Sequence, residues 1–133
     1  MARDFKSKLS VLGEQVLTRQ TKSVTIVEMP EQIDMTLFFT EKAITIQKVA
    51  GVLMGSASPS LDFNIHYAAT RDATGTKLTT ADMTLNSTTS GNIITSFNNA
   101  SIPANSWVWL VQKTGFSGTV NQMHLTVFFT ENL

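Results

Sequence analysis

Two stretches of this chain repeat one another. Residues 34–41 read DMTLFFTE and residues 123–131 read MHLTVFFTE, so that Leu37 aligns with Val127, Phe38 with Phe128, Phe39 with Phe129 and Thr40 with Thr130. Both alternate with the period of a half-buried strand: Met35, Leu37 and Phe39 fall on one face, as do Leu125, Val127 and Phe129. Their β-branched and aromatic side chains suit a pleated surface. The pattern predicts an early and a late strand lying side by side in one antiparallel sheet, with Leu37, Phe39, Val127 and Phe129 directed into the core.

The stretches between carry the same grammar. Residues 23–29 (SVTIVEM) alternate until Pro30 ends the strand. In residues 44–54 (ITIQKVAGVLM) the apolar phase moves from Ile44 and Ile46 to Val49, Gly51 and Leu53, which predicts a bulge or a bend at a sandwich corner. GSASPS at 55–60 reads as a loop, and Leu61, Phe63, Ile65 and Tyr67 then alternate. Residues 70–92 are polar, with short strands expected near Leu78 and over 83–85; further strands are expected over 93–97 and 107–111. About eight short strands with turn signals between them predict an all-β fold, an antiparallel β-sandwich, jelly-roll-like, whose first and last strands are neighbours. An immunoglobulin-like sandwich is the alternative.

Composition narrows the partners. The 133 residues are 42% hydrophobic and 15% charged, with zero net charge, which gives little self-repulsion against association. Residues 1–22 hold five basic and two acidic residues, a net +3, and the remainder holds five basic and eight acidic, a net −3. That excess is too small to argue for nucleic acid. With no cysteine there is neither a disulfide nor a thiolate metal site. No stretch has the apolar run of a signal peptide or a membrane span.

Within the basic segment, Phe5, Leu9, Leu12 and Val16 recur at helical spacing. Residues 1–22 are therefore expected to form an arm or short helix whose apolar stripe engages a neighbouring subunit, ahead of a sandwich domain over 23–133.

Catalytic chemistry finds no foothold. His66 and His124 stand on the polar phase of distant strands, and there is no nucleophile elbow, phosphate-cradling glycine loop or paired-carboxylate motif. The expectation is a protein that is not an enzyme, with no catalytic, cofactor or metal site. Trp107, Trp109 and Tyr67 are candidates for stacking on a glycan, although two tryptophans in phase with Val111 are more often core. Phe38 and Phe128 stand among threonines opposite the main apolar row. Two phenylalanines on adjacent strands there would form an exposed patch, the mark of a subunit interface, unless the N-terminal segment covers that face.

The run from TLFFTEKAITIQKVAGVLMGSASPSLDFNIHYA through SIPANSWVWLVQKTG to HLTVFFTEN, over about residues 33–132, resembles small virion proteins of tailed bacteriophages. The resemblance implies a virion location after assembly in the host cytoplasm and a structural role. A homotrimeric capsid decoration (cement) protein is the first expectation, with the major capsid protein or another virion protein as partner. A tail or fibre module that binds host-surface glycan is the second. It carries no binding residue onto this chain.

Overall fold

The computed structural model describes residues 19–113 and 116–132; the stripe of Phe5, Leu9, Leu12 and Val16 lies outside them. Among the described residues nine strands follow in order: β1 (Gln20–Val27), β2 (Ile33–Thr40), β3 (Ile44–Ala68), β4 (Thr76–Lys77), β5 (Met83–Leu85), β6 (Asn92–Ile94), β7 (Ser101–Ile102), β8 (Ser106–Gln112) and β9 (Ser117–Glu131). All pairings are antiparallel, and the long path runs β1-β9-β3-β8-β2. The result is an antiparallel sandwich close to a barrel. The first strand begins at Gln20, so residues 20–22 belong to the sheet.

β3 makes the sandwich out of one strand. Its first part pairs with β9 from Ile44 to Ser60, and its last part pairs with β8 from Asn64 to Ala68. The expected loop over 55–60 is thus a corner inside a continuous strand. The corner combines a register shift between Ser56 and Ser60 with left-handed backbone at Ala57 and Ser58. Gly118 sits against it, where a Cβ would meet the Ala57 carbonyl oxygen at 2.5 Å. The phase change read from Ile44 to Leu53 is real, but its bulge falls between Ile46 and Lys48. Gly51 serves packing instead: a Cβ there would lie 2.7 Å from both Leu85 methyls.

First and last strands are neighbours, as a jelly-roll-like sandwich requires, yet the pair is β1 with β9. The two FFTE stretches are not side by side. β2 pairs with β8 in the layer opposite β9, which corrects the expectation of one shared sheet. The core lies between these layers: Ile46, Val49, Leu53, Leu125, Val127 and Phe129 from one, Phe63, Ile65, Val108 and Leu110 from the other. Asn64 and His66, although on the outer phase of β3, are also buried. The Asn64 amide donates to the Thr79 carbonyl at 2.8 Å and to Asp82 at 2.9 Å, tying down the polar middle of the chain.

Candidate interaction surface

A bulge in β2 decides which aromatics face outward. The register with β8 slips between Thr36 and Phe38. Before the slip, Ile33 and Met35 turn inward while Asp34 and Thr36 turn outward; after it the phase is reversed. Phe38 therefore points inward and stacks on Phe129, with ring centroids 5.4 Å apart. Phe39, expected in the core, is 41% exposed. On the outer face it meets Trp107, itself 38% exposed, at 4.8 Å between ring centroids.

The rest of this outer face is covered by its own residues. Trp109 is buried beneath the Arg71 guanidinium, which lies 4.5 Å from the ring centroid, and beside the His66 ring. Arg71 is held by an ion pair with Asp34 and donates from Nε to Thr36 Oγ1 at 2.9 Å. His66 Nδ1 donates to the Thr74 carbonyl at 3.0 Å. Strand alternation places Asp34, Thr36 and Trp109 on one face; Arg71 comes from a loop, which is why no local pattern announced it.

Of the three residues considered for glycan stacking, only Trp107 presents its ring. Tyr67 is buried in the core, and its hydroxyl donates towards the Asn99 carbonyl at 3.1 Å and the Ser101 carbonyl at 3.2 Å. Burial raises its pKa above the ordinary phenol value. The core covers Tyr67 and Arg71 lies over Trp109, so of the three Trp107 alone is exposed.

The Phe38–Phe128 patch also dissolves. The two residues stand in opposite layers, and Phe38 faces inward. Phe128 does lie on an outer face, but Lys48 Nζ caps its ring at 4.3 Å from the centroid. Around it the surface is polar. Ser23 and Thr126 hydroxyls bond at 3.0 Å, and the His124 ring bridges Thr25 and Thr126 at 2.8 and 2.9 Å.

At the end of the sandwich where β1 and β3 begin and β2 and β9 finish, the two layers part. A cleft of about 510 Å³ opens there, lined by Gln20, Lys22, Phe38, Phe39, Ile44 and Glu131 among others. β1 explains the opening. Its inward positions carry Val24 and Ile26, which are partly buried against the core, and then Lys22 and Gln20, which are exposed at the end. Gln20 donates to Glu131 at 2.9 Å, and Lys42 lies 3.8 Å from the same carboxylate. Among the described residues no three His, Cys, Asp or Glu side chains converge to hold a metal, and no helix is long and apolar enough to cross a membrane.

By sequence the chain matches no protein-family model and no curated protein. Its fold is shared with solved phage structures. A chain in the acid-stable capsid of the Helicobacter pylori bacteriophage KHP30 superposes with a TM-score of 0.53 at 13% identity, over 85% of this chain and 87% of that one. A chain in the capsid of Ralstonia phage GP4 gives a TM-score of 0.58 at 11% identity, over 86% of this chain and 84% of that one. The likeness to phage structural proteins expected from the sequence is thus met at the level of the fold.

Proposed function

We propose that this protein is a structural, non-enzymatic subunit of a bacteriophage virion, a decoration (cement) protein that binds the head as a homotrimer across junctions of the major capsid protein. The observation that carries this reading is the match to chains of two phage capsids over most of the length of both partners. The fold stands in those capsids as a chain of about this size and not as a small domain of a much longer one. A subunit that binds only the assembled shell stabilises it by mass action, needing surface complementarity and no chemistry.

The outward-facing Trp107 supports a docking role, since large aromatics that are exposed in the isolated subunit are the residues that anchor interfaces. Electron cryo-microscopy of purified particles tests the proposal. The expected result is density for this fold on the outer head surface at three-fold related positions. Density confined to the tail or fibres would overturn it in favour of the host-surface reading. Capsids lacking the protein are expected to lose their DNA at lower temperature than complete ones.

A further inference from the structure

We propose that β1 is exchanged between copies of this chain: pivoting at Glu28, it leaves its own β9 and builds the same ladder on β9 of a neighbouring copy. The inference rests on the oligomeric part of the proposed function and is independent of which virion surface the protein binds.

β1 is tied to the sandwich through one strand. Its residues pair with β9 from Gln20↔Phe129 to Val27↔Gln122. It ends the sheet path, with no strand on its other edge among the described residues. The side-chain bonds that accompany the ladder, Gln20 with Glu131, Ser23 with Thr126 and Thr25 with His124, also run to β9. Inward, Val24 and Ile26 are only half-buried. All of these contacts form equally well when the receiving sandwich belongs to a second copy.

The connection to β2 favours release. Residues 28–32 carry the chain from the β9 layer to the opposite one, and Glu28 stands among them with φ at 54°. A residue with a Cβ is strained there, where glycine would not be. The next two positions are stiff, since Pro30 fixes its own φ and biases Met29 towards extended backbone. Met29 is half-buried against the core, whereas Val27 and Glu28 are exposed. Opening at Glu28 relieves the strained residue and leaves Met29 as the anchor. Short hinges under strain are the ones that invite exchange of an element between copies.

In a lone copy the tether favours the closed form, because it holds β1 near its own β9 at high effective concentration. In an oligomer a neighbour's β9 is held near as well, and that advantage shrinks. Six residue steps separate Val27 from Ile33, up to about 20 Å of extended chain, against about 10 Å between packed sheets. The reach spans a subunit contact.

A chain without cysteine makes the test clean. In the full-length S23C/T126C variant two sulfurs replace hydroxyls that lie 3.0 Å apart across the ladder. T25C/H124C supplies a second pair two residues along. Each variant is sized by light scattering, oxidised briefly, run on a denaturing gel without reductant, and its remaining thiols are counted. Most of the chain is expected in covalent oligomers of the size that scattering reads, while both single-cysteine controls run mainly as single chains. Internally linked single chains in a protein that scatters as an oligomer would overturn exchange and leave the oligomeric reading standing. Internally linked chains in a protein that scatters as a monomer would overturn both. Free thiols persisting in both pairs would show β1 on neither sandwich, which also overturns the proposal. In the S23C/T126C background, E28G removes the hinge strain and should lower the covalent oligomer share several-fold. E28P, which cannot take a positive φ, should raise it. An unchanged share in E28G overturns the pivot at Glu28, whether or not E28P folds.

Discussion

Phe38 stacks on Phe129 with their ring planes 12° from parallel, so the two FFTE stretches meet across the sandwich one residue out of step. The first phenylalanine of one copy faces the second phenylalanine of the other, because the β2 bulge shifts one copy and leaves the other regular. The contact bridges two strands that share no ladder.

The stacking separates two phenylalanines, Phe39 and Phe129, that alternation alone ranks as equal. Phe129→Ala is expected to cost on the order of 3–5 kcal/mol, as for other buried phenylalanines. Phe39→Ala, which loses one tilted ring contact, should cost about 1 kcal/mol. Urea unfolding of the two variants measures both, and equal costs would contradict the inward turn of Phe38 and outward turn of Phe39.

Gly51 makes room for Leu85. Since a Cβ at this position would meet both Leu85 methyls at 2.7 Å and the His124 carbonyl oxygen at 3.1 Å, Gly51→Ala is expected to destabilise by about 1–3 kcal/mol. Part of that loss should vanish when Leu85 is also shortened to Ala, because the cavity and the added methyl offset one another. A double-mutant cycle in denaturant that proves additive would show that the methyl is resisted by backbone alone.

Arg71 should matter more than the ion pair it makes. Its side chain is 33% exposed and that of Asp34 is 57% exposed, so Asp34→Ala is expected to change stability by less than about 1 kcal/mol. Arg71→Ala also uncovers the Trp109 ring, adding the loss of a cation–π contact and its packing, about 1–2 kcal/mol in all. Tryptophan fluorescence should shift to the red in Arg71→Ala and stay unchanged in Asp34→Ala. Arg71→Lys, lacking the flat guanidinium, should resemble Ala more than wild type.

Alkaline pH offers a test of Tyr67. Burial raises its folded-state pKa above the unfolded value of about 10. The folded protein therefore holds that proton more tightly than the unfolded chain. The stabilisation is fully present below about pH 10 and is lost as pH rises through the folded pKa. Thermal midpoints should fall above that pH in the wild type. They should fall less steeply in Tyr67→Phe, whose starting stability is lower for want of the hydroxyl's two carbonyl contacts.

Trp107→Ser, which loses the same tilted contact with Phe39, is expected to cost about 1 kcal/mol and to leave the domain folded. On the proposed reading it weakens trimer formation or head binding. Light scattering and capsid co-sedimentation measure the two, and wild-type values in both would remove Trp107 from any interface.

The sequence by itself determined the strand content and much of the core. Alternation identified Leu61, Phe63, Ile65 and Tyr67 as one inward row and Val127 with Phe129 as another, because burial on one face of a pleated strand imposes period two regardless of what the strand pairs with. It also located the phase change within the first half of β3. Pairing was a different matter. The likeness of the FFTE stretches reflects a shared environment, strands lining one core, which two opposed layers satisfy as well as one sheet does. The outward turn of Phe39 depends on a single extra residue in β2, visible only against the register of β8. The covering of Trp109 depends on a loop arginine thirty-eight positions earlier in the chain. Local periodicity determines which side of a strand is apolar, while the partner on each side, and hence which aromatics remain exposed, is decided by contacts between distant residues that only the tertiary structure brings together.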